Sequence, residues 1–187
     1  MPGLSIINLQ YTSIASAVGF LIDAEALFWA FYLDSYSVDY ERFSNYNNFI
    51  TNLKEKGNNL CIFESTVFET LRLIEEKEIS RVKKEDGLKR KSDLYKNRED
   101  VSRALGDFLN NLQYLCPVID NAYIMDIPWK EFQDNYNKYD CDSYTLIHIK
   151  YCLKNGYALI ADSIHFKAAC ALGIDVYTAN PGMLEGI

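Results

Sequence analysis

Four acidic residues stand where chemistry is expected in an α/β protein. Asp23 follows the apolar run Val18-Gly-Phe-Leu-Ile22 with no spacer, and Glu69 comes six residues after Phe63, the last of the run Leu60–Phe63. Asp142, with Asp140 close by, opens the helical segment 143–154, and Asp162 closes the run Ala158–Ala161. In a parallel sheet, ligands collect outside the carboxyl ends of the strands, so these four side chains form the candidate catalytic set. Carboxylates converging on one edge repel one another unless a hard divalent cation neutralises them, and oxygen ligands suit Mg2+ or Mn2+. Such an ion lowers the pKa of bound water and stabilises charge on a transferring phosphoryl group. Each acid also has a plainer use. Asp23 and Asp142 are good helix caps, Glu69 can be an exposed helix position, and Asp162-Ser163 can be turn chemistry. The recurrence at four carboxyl ends is what points to a site.

The elements that must position these acids are written as short apolar runs alternating with helical periodicity. Runs at 18–22, 60–63 and 158–161 read as strands buried on both faces, with weaker candidates at Tyr123–Met125 and Asp175–Thr178. A helix follows Asp23 over 24–33, and Glu64 or Ser65 can cap another, in which Val67, Phe68, Leu71 and Ile74 recur at helical spacing. Strands alternating with helices imply an α/β fold, a parallel sheet covered by helices on both faces. Nothing divides the 187 residues, so one domain is expected over 1–187.

The stretch 75–107 departs from that rhythm. It holds 10 of the 19 basic residues, Lys83, Lys84, Lys89, Arg90 and Lys91 among them, together with nine acidic ones. Mixed charge at helical spacing describes a solvated helix or helical hairpin standing off the body. Its alternative is an arm whose cations contact RNA phosphates.

Composition narrows the class further. With 49% hydrophobic and 24% charged residues the chain reads as globular, and a net charge of −7 argues against a wholly basic nucleic-acid grip. No apolar run approaches the length that spans a bilayer, no basic stretch precedes the first apolar residues as in a signal peptide, and five scattered cysteines without CxxC spacing suit reduced thiols in a cytoplasmic protein. No Gly-rich phosphate loop and no GxSxG motif is present. His148, set among Leu146, Ile147 and Ile149, reads as a core or partner-facing histidine. His165, beside Asp162, can touch a substrate phosphate or serve structure alone. Tyr136, Tyr139 and Tyr144 can stack on bases or simply pack.

The order of these motifs resembles the PIN-domain ribonucleases, the family that includes the toxin nucleases of toxin–antitoxin pairs. The matching residues are Val18-Gly-Phe-Leu-Ile-Asp23, Thr66-Val-Phe-Glu69-Thr-Leu71, the helix opened by Asp142 and running to Gly156-Tyr-Ala-Leu-Ile, Ala161-Asp162-Ser163-Ile164-His165-Phe166, and Gly173-Ile-Asp-Val-Tyr177. Together they span roughly residues 17–180. Two departures stand out. The family's Thr-x-Asp before the closing Phe would fall on Ala161 and Ser163, leaving Asp162 one residue early, and the charged stretch is longer than the helical pair of small toxin members. A serine hydroxyl is a poor ligand for a hard cation, so chemistry favours Asp162 over Ser163.

The resemblance implies a three-layer α/β/α fold and a Mg2+- or Mn2+-dependent endoribonuclease. Asp23, Glu69, Asp142 and Asp162 would then be both catalytic and metal-ligating, and the products would carry a 3′-hydroxyl and a 5′-phosphate. His165, Lys83, Lys84 and Arg90 are the expected substrate contacts. RNA is the expected partner, an antitoxin protein and a homodimer are further ones, and a membrane is not. The alternative is a PIN-like domain with weakened catalysis that binds RNA or protein.

Overall fold

Strands buried on both faces need apolar side chains at every position, and four runs here supply them. The computed structural model describes residues 6–11, 19–32, 39–86, 98–115, 117–120 and 142–185, with short stretches at 130, 133–134 and 137–138. Its strands are β1 (Ile6–Asn8), β2 (Phe20–Ile22), β3 (Leu60–Phe63), β4 (Val118–Asp120), β5 (Ala158–Ile160) and β6 (Val176–Thr178). All pair in parallel, in the order β1-β6-β5-β2-β3-β4. The helices are α1 (Ala24–Phe31), α2 (Tyr40–Glu55), α3 (Glu64–Asp86), α4 (Arg98–Leu115), α5 (Ser143–Asn155), α6 (Lys167–Ala171) and α7 (Pro181–Leu184).

Alternation along each strand divides the core in two. Phe20, Ile22, Leu60, Ile62, Ala158 and Ile160 face α1, α2, α3 and α4. Leu21, Cys61, Phe63, Leu159 and Val176 face α5, α6 and α7. This is the expected three-layer α/β/α arrangement with a central parallel sheet. Strands β2, β3, β5 and β6 fall where the apolar runs predict them. The candidate at 123–125 lies outside the described residues. Two edge strands escape a hydrophobicity reading: β1 is half-buried throughout, and β4 leaves Val118 and Ile119 more than half exposed. Cys61, Cys152 and Cys170 are free and buried. Among the described residues no helix is long and apolar enough to cross a membrane.

The described part of 75–107 is helical, as expected, but it does not simply stand off the body. It belongs to the pair α3 and α4, whose inner faces bury Ile74, Val82, Phe108 and Leu112. Glu78 is buried with them, accepting a 2.6 Å hydrogen bond from the Tyr32 hydroxyl and pairing with Arg81 at 2.7 Å. Arg81 reaches on to Asp100 of α4 at 3.1 Å. The Tyr32 hydrogen bond and a band of apolar contacts therefore tie the hairpin to α1, and the ion-pair chain ties α3 to α4. Lys83 and Lys84 are exposed on the last turn of α3. Lys89, Arg90 and Lys91 lie outside the described residues, as do Tyr136, Tyr139 and Asp140.

Candidate functional site

After β2 the chain builds outward through β3 and β4, then returns to place β5 on the other side of β2. The crevice between the carboxyl ends of β2 and β5 is thus the topological switch point of the sheet, where ligands bind in open α/β folds. Asp23 and Asp162 end those two strands. The Asp23 backbone N–H donates to the Ile160 carbonyl at 3.0 Å, and the Asp162 N–H lies 3.4 Å from Asp23 Oδ2.

Asp23 caps α1 with extended backbone, its Oδ1 accepting from Ala26 N–H at 2.6 Å. It is 1% exposed. Burial, with the charges of Asp162 and Glu25 adding to it, pushes its carboxyl well above the usual carboxylate range, and the Ala26 N–H only partly offsets this. Glu25, on the first turn of α1, stands at the rim. The protein mass around it and the charge of Asp162 raise its carboxyl too, while Arg42 and His165 oppose the rise.

Asp162 is equally buried but differently partnered. Arg42, from the first turn of α2, grips it with both edges of its fork: Nε donates to Oδ1 at 2.9 Å and Nη2 to Oδ2. The Tyr46 hydroxyl lies 2.8 Å from Oδ1 and accepts from Ala179 N–H at 3.0 Å. The Arg42 guanidinium also lies over the Trp29 ring, 4.6 Å from its centroid. Burial raises the Asp162 carboxyl, whereas Arg42, Tyr46 and Trp29 pull it down. The cap of the following 3-10 turn (Ile164–Phe166) is Ser163, not Asp162. The one-residue shift thus leaves the serine in turn chemistry and sends the aspartate inward.

Asp142 caps α5, accepting from Thr145 N–H at 2.7 Å, and is exposed. Two residues later Tyr144 carries this helix start to the crevice. Its hydroxyl lies 3.4 Å from Thr66 Oγ1, and burial, then the charges of Asp23 and Glu69, hold its proton well above the ordinary tyrosine value. Glu69 is paired with Arg72, whose Nε donates at 3.0 Å and holds the Glu69 carboxyl below its ordinary value. His165 is exposed on the 3-10 turn, close enough for Glu25 to feel its charge. Lys83 and Lys84 lie about 21 Å beyond Glu69 along the axis of α3.

The structure therefore joins Asp23 and Asp162 directly, whereas Asp142 and Glu69 reach the crevice only indirectly: Tyr144, two residues past Asp142, feels the charges of both Asp23 and Glu69. Among the described residues no three His, Cys, Asp or Glu side chains are grouped to hold a metal ion. A hard cation suits Asp23, an oxygen ligand crowded by like charge whose Oδ2 has, among the described residues, only the long Asp162 N–H contact. At Asp162 both oxygens are already taken by a guanidinium. His148 is buried among Phe63, Tyr144 and Phe166, a core histidine. Arg42, Tyr46, Trp29 and Glu25 are absent from the sequence-based set. Only Glu25 had a local signal, the Asp-x-Glu spacing; Arg42 meets Asp162 from 120 residues away. No protein-family model and no curated protein matches this chain.

Proposed function

We propose that this chain is a metal-dependent ribonuclease. One observation carries the reading: the buried carboxylate of Asp23 ends β2 at the switch point of the sheet, 3.4 Å from the Asp162 N–H and with Glu25 on the turn that follows. A hard dication would relieve the crowding of negative charge at Asp23. Asp23 would hold Mg2+ or Mn2+, with Glu69 and Asp142 as the further ligands that the resemblance implies; among the described residues the three are not grouped as a trio. When bound, the ion supplies Lewis acidity toward water and a phosphodiester. The chain's own residues do the rest. Ala26 N–H orients the Asp23 carboxylate, Tyr144 lines the crevice near Asp23, and His165 at the rim meets an incoming phosphate. Lys83, Lys84 and Arg90 would draw the RNA backbone along the hairpin.

A second reading, a PIN-like domain with weakened catalysis that binds RNA or protein, is favoured by Arg42 holding Asp162. Cleavage of labelled single-stranded RNA with Mg2+ or Mn2+ separates the two. For Asp142→Asn, which caps about as well as Asp, the ribonuclease reading expects cleavage to fall at least tenfold with an unchanged melting temperature. A wild-type chain that binds this RNA but leaves it intact with either ion supports the binding module instead.

A further inference from the structure

Asp162 presents a disagreement between its position and its partners. Its place at the end of β5 is that of a ligand, yet both oxygens face the Arg42 fork, the Tyr46 hydroxyl closes on Oδ1, and the Asn180 side-chain amide donates to its carbonyl. Arg42 is itself held: Trp29 lies under its plane, and only 21% of its side chain is exposed. A bidentate arginine–carboxylate pair with an aromatic face against it is a fixed object, unlike a surface ion pair. Asp23, 3.4 Å from the Asp162 N–H, has no such cation among the described residues.

From this geometry we infer that Arg42 is the resident counter-cation of Asp162. Its guanidinium takes the place a divalent ion would take at Asp162, so any ion entering the crevice is held from the Asp23 side. Asp162 is then a positioning residue for Arg42 and not a ligand. The inference rests on the reading of the crevice as a cation site, and the two can fail separately.

The test is Mn2+ binding to the full chain, followed by the electron paramagnetic resonance signal of free Mn2+ and by tryptophan fluorescence, since Trp29 touches Arg42. Wild type and Asp162→Asn should bind Mn2+ alike, and Asp23→Asn should lose the ion. Arg42→Gln, which frees a carboxylate, should bind Mn2+ about tenfold more tightly, the size of effect typical of groups behind a metal's ligands. A merely structural role for Arg42 moves affinity the other way. Arg42→Lys keeps the charge without the fork and should fall between, and the Asp162→Asn comparison leaves Arg42 untouched should its replacement prevent folding. Asp162→Asn losing as much affinity as Asp23→Asn, or Arg42→Gln binding no tighter than wild type, overturns the inference while the cation site stands. Mn2+ binding by Arg42→Gln alone upholds it and sinks the metal-dependent reading of the wild-type chain. Binding by neither overturns both.

Discussion

Asp23 and His148 are both buried titratable groups, and they tilt stability with pH in opposite directions. The folded state holds the Asp23 proton more tightly than the unfolded chain does. Stability therefore falls as pH rises from about 4, where an unfolded aspartate titrates, through the raised folded value, and is level above it. Asn keeps the cap to Ala26 and carries no charge. Asp23→Asn should accordingly raise the melting temperature at pH 7 and flatten its slope between pH 4 and 7; calorimetry showing a lower value at pH 7 would contradict the burial argument. His148 behaves inversely. Burial pushes it down from 6.5 to about 4, its Nδ1 lies 2.8 Å from the Tyr144 carbonyl, and its Nε2 has no partner among the described residues. The unfolded chain takes up this proton first, so stability is lost as pH falls from 6.5 toward 4, by about 3 kcal/mol in all. His148→Leu should remove most of that acid limb in urea titrations across this range, and an unchanged limb would place the acid sensitivity elsewhere.

The pairing of α3 with α4 shows how an element can serve two masters. Its inner face carries Ile74, Val82 and Phe108 into the core, and its outer face carries the charges. Burial of Glu78 makes the ion-pair chain through Arg81 to Asp100 part of the packing, since a buried carboxylate without its partners is costly. Lys83 and Lys84 take no part in that chain, and their exposure leaves them free to meet an anionic polymer. If they and Lys89, Arg90 and Lys91 contact RNA phosphates, binding should weaken steeply with salt, at a slope of about −0.7 per neutralised phosphate for a single strand. Replacing all five with Gln should flatten that slope by several units in a titration of fluorescent RNA. An unchanged slope would mean that these charges only solvate the hairpin.

At the scale of the whole molecule, three central strands enter the sheet through one tight point. Gly19 accepts from Ala158 N–H at 3.0 Å, and Phe20 beside it donates to the Asn59 carbonyl at 2.9 Å, so β2 is clamped between β5 and β3. A Cβ at position 19 would meet the Tyr157 ring at 2.8 Å and Asn59 O at 3.2 Å. The ring can swing aside; the backbone oxygen cannot do so without parting strands. Gly19→Ala should therefore cost about 1–3 kcal/mol, read as a lower urea midpoint with an unchanged slope. A variant as stable as wild type would show that the sheet's entry has slack. At the other end of the same strands, this rigidity holds Asp23 and Asp162 together.

The apolar runs determined the central sheet, because parallel strands buried on both faces cannot alternate with polar residues. Asp23 and Asp142 were legible for a similarly local reason: a carboxylate before a helix caps it within three residues, whatever else it does. The edge strands β1 and β4 were not, since a half-exposed strand needs no continuous apolar run. Nor was the anchoring of the hairpin, because a few apolar residues among many charges carry no periodic signal, and only contact with α1 shows which are buried. The largest gap concerns Asp162. Its neighbours in sequence leave open a cap, a turn residue or a ligand, and the choice is made by Arg42, Tyr46 and Trp29, all more than a hundred residues earlier in the chain. The charge state and partner of a buried carboxylate depend on what the fold packs against it, and that only the tertiary structure decided.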